Sequence, residues 1–452
     1  MCCLPGARST KWRWQRERRG ERPVGFASTP VQIPIGDSSS VMKILFVTPY
    51  LPSPPHFGAQ RRLDGLMRGL AARHEISLLS FIGDDEQAAE SLKVTASYCH
   101  HISTVANALV GLSVEKKRMM QLRSLISTRS FEYDLCYDAR FQAQIRQEME
   151  NGTYDIVQVE FSQLGIFDYR RAGARKPLLV LDEHNIEYDL IRRTADAKGS
   201  LSRRLYSAVN WRKLRHEEHG AWRRSDGVVL TSARDEALLQ SDMPGTRTAV
   251  VPNAVDLEYF RSSSSAREPG TLMFFGAMNY HPNIQGVEYF VKEVLPKIAA
   301  QIPTVKLRVV GQQPPESIRA LAGPNVEVVG FVDDPRPLLD RTAAMIVPLQ
   351  IGGGTRFKIV EGMAMSTPIV STDLGAEGIE VEHDRHLLIA RDTEGLVRET
   401  VRLLRDPDLG RRLGAAARQV AERLYGWERA VKTLEEFYAV LGARAGMGTN
   451  QV

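Results

Sequence analysis

Short, continuous apolar runs alternate with longer stretches of helical periodicity along most of the chain, and this alternation restricts the folds open to it. Continuous Val, Ile and Leu runs are typical of strands buried on both faces of a parallel sheet, with helices covering the sheet. The predicted strands are Lys43–Thr48, Ile76–Phe81, Asp155–Glu160, Leu178–Asp182, Val228–Thr231 and Ala249–Val251, followed by Thr271–Phe275, Val305–Val310, Val326–Val329, Ala344–Pro348, Pro368–Ser371 and Leu387–Ile389.

A segment rich in Ser, Pro and Gly, residues 261–270, interrupts the alternation and has the composition of a linker. The sequence therefore predicts an α/β protein with two doubly wound domains, over residues 42–260 and 271–425. Ligands of such folds bind beyond the carboxyl ends of the strands. The cleft between the two domains is the expected site.

Residues 1–41 carry seven Lys/Arg and three Asp/Glu, so they supply four of the five net positive charges of the 452-residue chain. Their composition predicts a disordered basic extension, with Met42 either the true start or the beginning of the folded part after a tail. The nearly neutral remainder argues against nucleic acid as a partner. Four cysteines without CxxC spacing predict no structural zinc and a reducing compartment. We expect a cytoplasmic protein, because no apolar run reaches the ~18 residues that span a bilayer.

A glycine loop between a predicted strand and a predicted helix is the most informative segment, Gly352–Ala364. Glycines permit close backbone approach, and a helix N-terminus offers free N–H groups to an anion. Arg356 and Lys358 are expected in the first turn, where cations oppose the helix dipole unless an anion compensates. Glu361 is suited to accept hydrogen bonds from ribose hydroxyls. The alternative is a solvated basic helix start in which Glu361 pairs with Lys358.

Polar residues also end the predicted strand that precedes His184. Because strand ends face the cleft, His184 is a candidate active-site residue, the alternative being a structural histidine. Neither G-x-G-x-x-G nor the P-loop motif occurs, which argues against a NAD enzyme or a P-loop ATPase.

A basic stretch with interleaved aromatic residues is a candidate for docking on an anionic membrane that holds a lipid-linked acceptor. A solvated helix face is the alternative. Lys116–Arg118 would join this surface. The cations of the stretch are Arg203, Arg204, Arg212, Lys213, Arg215, Arg223 and Arg224.

Several segments, in this order along the chain, resemble the family-4 glycosyltransferases of the two-domain GT-B fold, and the resemblance covers nearly all of residues 42–442. Val250–Asp256 is similar to the Pro-Asn-Gly-Val-Asp signature that the family has between its two domains. Ser225–Asp235 is similar to the strand and helix that precede this signature. Gly353–Ala364 with Pro368–Gly378 looks like its nucleotide-sugar loop, in a Gly-Gly-Gly-Thr-Arg-x-Lys subgroup.

The resemblance implies a glycosyltransferase that uses a UDP- or GDP-type sugar donor, retains the anomeric configuration and needs no metal or other cofactor. The implied acceptor is a glycan or a lipid-linked molecule, in exopolysaccharide or cell-surface glycan synthesis. A sugar-nucleotide epimerase of the same fold and a silent nucleotide-sugar-binding scaffold remain alternatives. The family's last helix crosses back to the first domain, which residues 426–445 are expected to do.

The resemblance also assigns roles to single residues. His184, Arg356 and Lys358 are the implied catalytic residues. The implied donor-binding residues are Gly58, Gly353, Gly354, Thr355 and Glu361.

Two departures from the family pattern concern the donor site. The first glutamate of the family's pair falls on Gly353, so sugar hydroxyls would have to contact backbone N–H groups of the glycine loop. The family's basic pair is missing from Phe275–Asn283. Arg356 and Lys358 are expected to take over the pyrophosphate role.

Overall fold

The computed structural model describes residues 41–83, 86–107, 113–170, 176–196, 201–263 and 266–444. Apart from Val41, the basic extension predicted over residues 1–41 lies outside these described residues.

Seven parallel strands form the sheet of the first domain. They are β1 (Lys43–Thr48), β2 (Glu75–Ile82), β3 (His101–Ala106), β4 (Ile156–Glu160), β5 (Leu178–Glu183), β6 (Gly227–Leu230) and β7 (Thr248–Val250). Their order in the sheet is β3-β2-β1-β4-β5-β6-β7. The helices around it are α1 (Gly58–Ala71), α2 (Glu86–Thr95), α3 (Val114–Ile126), α4 (Phe131–Cys136), α5 (Ala139–Asn151), α6 (Glu187–Asp196), α7 (Leu201–Arg224) and α8 (Ala233–Asp242).

Six parallel strands form the sheet of the second domain. They are β8 (Glu268–Phe275), β9 (Lys306–Val310), β10 (Val326–Gly330), β11 (Thr342–Val347), β12 (Ile369–Thr372) and β13 (Leu388–Ala390), in the order β10-β9-β8-β11-β12-β13. The remaining helices are α9 (His281–Tyr289), α10 (Leu295–Ala299), α11 (Glu316–Arg319), α12 (Arg336–Arg341), α13 (Phe357–Ala364), α14 (Asp373–Ala376), α15 (Thr393–Arg405), α16 (Pro407–Leu424) and α17 (Trp427–Arg444).

The strands form where the sequence predicts them because their apolar side chains are buried on both faces of each sheet. One strand, β3, has no counterpart among the predicted strands. It lies at the edge of its sheet, and of its side chains only that of Val105 is buried. A polar edge strand carries little of the apolar signal from which buried strands are recognised.

Strand order reverses between β1 and β4 in the first sheet, and between β8 and β11 in the second. Such a reversal opens a crevice at the carboxyl ends of the strands. The loop from β1 to α1 begins at the first crevice, and the glycine loop from β11 to α13 begins at the second. Both loops are thereby directed into the space between the domains.

The chain passes between the domains earlier than the predicted boundary at residue 260. Val251 and Ala254 pack into the first-domain core, whereas Val255 packs into the second. Strand β8 already begins at Glu268, within the predicted linker. The linker composition therefore marks an irregular segment of the second domain, because the apolar side chains that precede it decide where the crossing lies.

Helix α17 packs on the first domain although it follows the second in sequence. A Cβ atom on Gly65 of α1 would lie 2.3 Å from the ring of Trp427, so the two helices are in close contact. Arg73 forms an ion pair of 2.7 Å with Glu435. The Tyr438 hydroxyl, further along α17, donates a hydrogen bond within the first-domain core. The chain thus crosses between the domains twice.

Candidate active site

The glycine loop of the second domain lies directly against the first domain. Gly354 has a φ of +66°, a region that favours glycine. A Cβ atom at this position would lie 2.1 Å from the Oδ1 atom of Asn185. Gly353 approaches Leu190 in the same way, at 3.2 Å. Only a residue without a side chain permits this approach at Gly354, so the loop closes one wall of the interdomain cleft.

Two helix N-termini meet across the cleft. A Cβ atom on Gly58, the first residue of α1, would lie 3.0 Å from the ring of Phe357, the first residue of α13. Neither helix has an acidic residue in its first turn or a side-chain hydrogen bond at its N-cap. Each helix directs its partial positive charge into the cleft, which creates an environment for an anion.

Arg356 is the N-cap residue of α13, one position before the first turn in which the sequence predicts it. Its Nη1 atom donates to the carbonyl oxygens of Gly353 and Gly354, and its Nη2 atom donates to the Leu374 carbonyl at 3.3 Å. A tightly turned glycine loop leaves carbonyl groups that need donors, and this guanidinium supplies them. In this structure Arg356 therefore stabilises the loop itself.

Lys358 is in the first turn of α13, as predicted, and its ammonium group reaches the end of β8. The Nζ atom lies 2.8 Å from the Oδ1 atom of Asn283 and 4.1 Å from the centre of the Phe274 ring. A Cβ atom on Gly276 would lie 2.7 Å from the same Nζ atom. Lys358 thus brings a cation to the segment Phe275–Asn283, which has no Arg or Lys of its own.

The charges around α13 perturb one another. The pKa of Lys358 is lowered to about 7, chiefly by burial and also by Arg356, while Glu361 opposes the shift. Burial raises the pKa of Glu361, whose side chain is 2% exposed, while Arg61 and Lys358 oppose that shift. Arg61 of α1 donates a hydrogen bond to Glu361 across the cleft. In the described part of the chain Glu361 is therefore ion-paired with Arg61, and not with Lys358 as one interpretation of the sequence had it.

Asp182, at the end of β5, is neutralised by a buried arginine. Arg62 donates from Nε and Nη2 to the two carboxylate oxygens, each at 3.0 Å, and from Nη1 to the Val251 carbonyl at 2.8 Å. Burial raises the pKa of Asp182 to about 6, and Arg62 opposes this shift. Asn253 donates to the Oγ1 atom of Thr355 at 2.7 Å, so the segment that crosses between the domains also contacts the glycine loop.

His184 lies at the floor of the cleft with 6% of its surface exposed. Its Nε2 atom is 2.8 Å from the Oε2 atom of Glu160, and its ring packs against that of Phe161 with the centroids 3.9 Å apart and the planes tilted by 32°. Burial lowers the pKa of His184 to about 3, an effect that Asp182 opposes, and burial raises the pKa of Glu160 to about 7. A pKa lowered this far keeps the imidazole neutral and suits it to hydrogen bonding at the site.

Glu160, Asp182 and His184 place three ligand-type atoms within 4.8 Å of one another. The guanidinium of Arg62 already engages both oxygens of Asp182. A metal ion bound by this group would have to displace that buried arginine. The donor set therefore suits a hydrogen-bonded network around a resident cation better than it suits a metal ion.

Ion pairs join the walls of the cleft further along. Arg193 forms an ion pair of 2.7 Å with Glu377 of the second domain, and Arg234 approaches the same carboxylate at 3.6 Å. Asp189 lies between the two arginines and accepts from Arg193 at 2.9 Å. These contacts hold α6 and α8 against the segment that follows α14.

The basic stretch of α7 is largely engaged within the protein. Lys213 donates to the Ser127 carbonyl at 2.6 Å, and Arg215 pairs with Asp242 at 2.7 Å. Trp222 is buried. Arg212, Arg223 and Arg224 donate to the carbonyl groups of Ala208, His219 and Gly165, respectively. The side chains of Arg203 and Arg204 lie outside the described residues. These contacts favour a structural role for α7 over a membrane-docking face.

The sequence did not predict the partners of several charged site residues. Arg61 and Arg62 are adjacent on α1, where a rotation of about 100° per residue sends one side chain into the cleft and the other into the core. Their position just after Gly58 was an available signal. Glu160 gave no such signal, because its partner His184 lies on a distant segment of the chain.

Two family models match the chain in succession. Residues 58–259 match Glycosyltransferase Family 4, and residues 269–406 match Glycosyl transferases group 1. Together they cover most of both domains and every candidate site residue. Among the described residues no helix has the length and apolarity needed to cross a membrane.

Relatives and a solved structure agree with these matches. An uncharacterized 44.6 kDa protein in the cps region of Klebsiella pneumoniae is 21% identical over 77% of this chain and 88% of its own length. A phosphatidyl-myo-inositol mannosyltransferase of Mycolicibacterium smegmatis is 28% identical over 42% of this chain, and the match spans about half (51%) of that protein. Anabaena HepE, solved with UDP-glucose, superimposes with a TM-score of 0.61 at 16% identity, over 89% of this chain and 100% of that one.

The structural likeness establishes the two-domain arrangement of parallel sheets, and the family models establish the class of enzyme. The predicted fold and the predicted family are both confirmed, whereas the motif subgroup stays a prediction. The chain belongs to the GT-B glycosyltransferases, with a Glycosyltransferase Family 4 first domain and a Glycosyl transferases group 1 second domain.

Proposed function

We propose that this glycosyltransferase moves a sugar from a UDP- or GDP-type donor to a glycan or lipid-linked acceptor, with retention of the anomeric configuration. The observation that carries the proposal is the meeting of the α1 and α13 N-termini at Gly58 and Phe357, with the Lys358 ammonium on the same turn. A diphosphate needs such a concentration of donors and positive charge. Anabaena HepE, of the same fold, binds UDP-glucose, which favours a UDP sugar.

The donor would lie along α13 in a fixed order. Lys358 and the N–H groups of α13 bind the leaving diphosphate, and Gly58 allows the N-terminus of α1 to approach α13 beside the Phe357 ring. Glu361 binds the ribose hydroxyls once Arg61 has been displaced from it. Backbone N–H groups at Gly353 and Gly354 contact the sugar, and Arg356 with Thr355 maintains the shape of that loop.

The acceptor would enter from the first domain, toward the ends of β4 and β5. His184, held by Glu160 and kept neutral by burial, donates or accepts one hydrogen bond at the sugar rather than a charge. We further propose that transfer requires no metal ion, since Lys358 and the N-termini of α1 and α13 would supply positive charge where the diphosphate lies. Activity that survives excess EDTA is the expected result, and its loss with rescue by Mg²⁺ or Mn²⁺ would refute this part.

The setting of the reaction follows from the acceptor class. We place it on the cytoplasmic side of a membrane, in exopolysaccharide or cell-surface glycan synthesis, with the enzyme bound peripherally. The mannosyltransferase relative is named for a phosphatidyl-myo-inositol, which supports a lipid-linked acceptor.

The experiment is a melting-temperature screen of UDP, GDP and their sugar conjugates, followed by product analysis with the donor that binds. A ligand at 100 times its Kd adds ~2.7 kcal/mol of stability, so the correct nucleotide should stand out. Release of nucleoside diphosphate that depends on an acceptor, with the donor's anomeric configuration kept in the NMR spectrum of the product, supports the proposal. A donor epimer as product, or donor binding without turnover in any acceptor mixture, would overturn it in favour of an epimerase or a scaffold.

A further inference from the structure

Helix α3 presents an apolar face to solvent. Met119 and Leu122 are each 67% exposed and Ile126 is 90% exposed, whereas Ser124 is buried. Residues spaced by three and four positions share one face of a helix, so Met119, Leu122 and Ile126 form a single stripe. Ser124 projects from the opposite side, which packs on the domain. This pattern is the inverse of an ordinary surface helix, whose apolar stripe faces the core.

The outward orientation is held in place at both ends of the helix. The Ser113 side chain caps the N-terminus by accepting from the Lys116 N–H group at 3.2 Å. At the other end, Lys213 of α7 donates to carbonyl oxygens of Ser124 and Ser127. A rotation that buried the stripe would break the contacts made by Lys213. The exposed apolar face is therefore fixed by the fold.

The stripe stands out against the rest of the described surface. Nine large apolar residues there are exposed, and four of them lie on α3, the fourth being Leu125. Others, such as Phe331 and Val440, lie singly on distant elements. Scattered exposed apolar residues are normal, whereas a cluster marks a surface that is covered in use.

Cations flank the stripe on both sides. At 100° per residue, Arg118 lies beside one edge, and Lys116 and Arg123 lie beside the other. All three are exposed. Glu115, the acidic residue in the first turn, is exposed and lies in line with the stripe at the N-terminal end of α3, where three cations surround a single carboxylate. An apolar stripe between rows of Lys and Arg matches an anionic lipid surface, in which the apolar side chains enter the acyl region and the cations meet the headgroups.

We infer that α3 seats the first domain on an anionic membrane, parallel to its plane. The inference deepens the proposed function and rests on it in one respect, namely that a lipid-linked acceptor requires the enzyme to work at a membrane. It also moves the docking element from the α7 stretch to α3, because the described cations of α7 bind carbonyl and carboxylate groups of the protein.

The test is sedimentation of the full-length protein with vesicles of phosphatidylcholine alone or mixed with phosphatidylglycerol. Wild type should bind the mixed vesicles, and the triple variant Met119→Ser, Leu122→Ser, Ile126→Ser should bind at least about tenfold more weakly. Phe331→Ser is the matched control, an equally exposed apolar residue of the second domain, and should bind as wild type does. Replacing Lys116, Arg118 and Arg123 by Ser should remove the preference for the anionic vesicles.

Melting temperatures with and without UDP accompany each measurement. The triple variant should keep both the melting temperature and the UDP response of wild type, because the substituted side chains face solvent and α3 belongs to a different domain from α13. Failure of wild type to bind anionic vesicles, or unchanged binding by the folded triple variant, would overturn the inference. A wild-type dimer that the triple variant converts to a monomer would overturn it in favour of a second copy of the chain. Absence of any nucleotide response in wild type would refute the proposed function and leave the vesicle result to be judged by itself.

Discussion

Arg356 and Lys358 are two positions apart in one motif, yet their charges serve different groups in the structure. The guanidinium is engaged by the carbonyl oxygens of Gly353 and Gly354, whereas the ammonium extends to the end of β8 beside Gly276. Arg356→Ala should therefore destabilise the glycine loop and also weaken the binding of the nucleotide sugar. Lys358 is the residue whose removal separates binding from stability.

At the residue scale we predict that Lys358→Met weakens the binding of UDP by ~10- to 100-fold at neutral pH, because one charge-assisted hydrogen bond is lost. Burial lowers the pKa of Lys358 to about 7, so wild-type affinity should fall as the pH rises from about 7 to about 9, as the ammonium loses its proton. The variant should show no such fall. Titration calorimetry across this range measures both effects.

The variant Lys358→Met also tests how Lys358 affects the stability of the unliganded protein. A folded-state pKa below the ordinary value of 10.5 means that the folded protein binds the proton less well than the unfolded chain does. Lys358→Met should thus leave the melting temperature of the unliganded protein unchanged or raised. Lys292→Met, at an exposed lysine of the same domain, is the control. A variant that melts lower and binds UDP normally would assign Lys358 a structural role.

A second residue-scale prediction separates the nucleoside from the diphosphate. Glu361→Gln should lower the affinity for UDP by about tenfold, because a neutral amide accepts weaker hydrogen bonds from the ribose hydroxyls than a carboxylate does. Pyrophosphate has no ribose, so its affinity should not change in this variant, whereas Lys358→Met should weaken both ligands. Competition binding of the two ligands gives the comparison. Equal losses of UDP and pyrophosphate in Glu361→Gln would contradict the assignment.

At the scale of elements, α17 joins the two halves of the molecule through close packing on α1. The ring of Trp427 occupies the space that a side chain at position 65 would fill, and Val431 does the same at Gly69. Leu434 and Tyr438 continue this face into the first-domain core. The last helix is thus a structural part of a domain that it follows by more than a hundred residues.

We predict that Gly65→Ala destabilises the protein by ~1–3 kcal/mol, since a methyl group there overlaps the Trp427 ring. Gly442→Ala is the matched control on α17 itself, where a Cβ atom meets nothing within 4 Å. It should leave stability unchanged or raise it by up to ~1 kcal/mol through helix propensity. Chemical denaturation of the two variants decides the matter, and equal stabilities would show that α17 does not depend on this contact.

At the scale of the whole molecule, several carboxyl groups are buried in the interior of the first domain. Glu183 accepts from the Trp222 indole at 2.7 Å, and Glu218 accepts from the Glu187 and Tyr188 N–H groups at 2.9 and 2.8 Å. Burial raises the pKa of both Glu183 and Glu218; the neighbouring Glu187 raises that of Glu183 further, and Glu183 raises that of Glu218. The folded state therefore holds protons that the unfolded chain releases.

This arrangement predicts a pH dependence of stability. Because the folded-state pKa of Glu183 is raised, its contribution is complete below the ordinary value of 4.5 and is lost as the pH rises through the folded-state value. The melting temperature should fall between about pH 5 and about pH 8, and it should fall less in Glu183→Gln, which keeps an acceptor for Trp222. Glu316→Gln, at an exposed position, should behave as wild type does. Parallel slopes in all three proteins would refute the prediction.

The sequence by itself determined the two parallel sheets, the order of nearly all their strands along the chain, and the loops that carry the donor site. Continuous apolar runs can be buried only between layers of helices, and glycine before a helix permits an anion to approach. These are local properties of the sequence, so they can be recognised without knowing the fold. The motifs around Gly353 and Asn253 also identified the family correctly.

Only the tertiary structure decided which side chains meet. Strand β3 was missed because a polar edge strand has no apolar pattern. Val255 packs in the second core although it precedes the predicted boundary, because tertiary contacts decide its partners. Glu361 pairs with Arg61, 300 positions away in the chain. Contacts between distant segments depend on how two domains face each other, and that orientation is fixed by packing over the whole molecule, which no short stretch of sequence encodes.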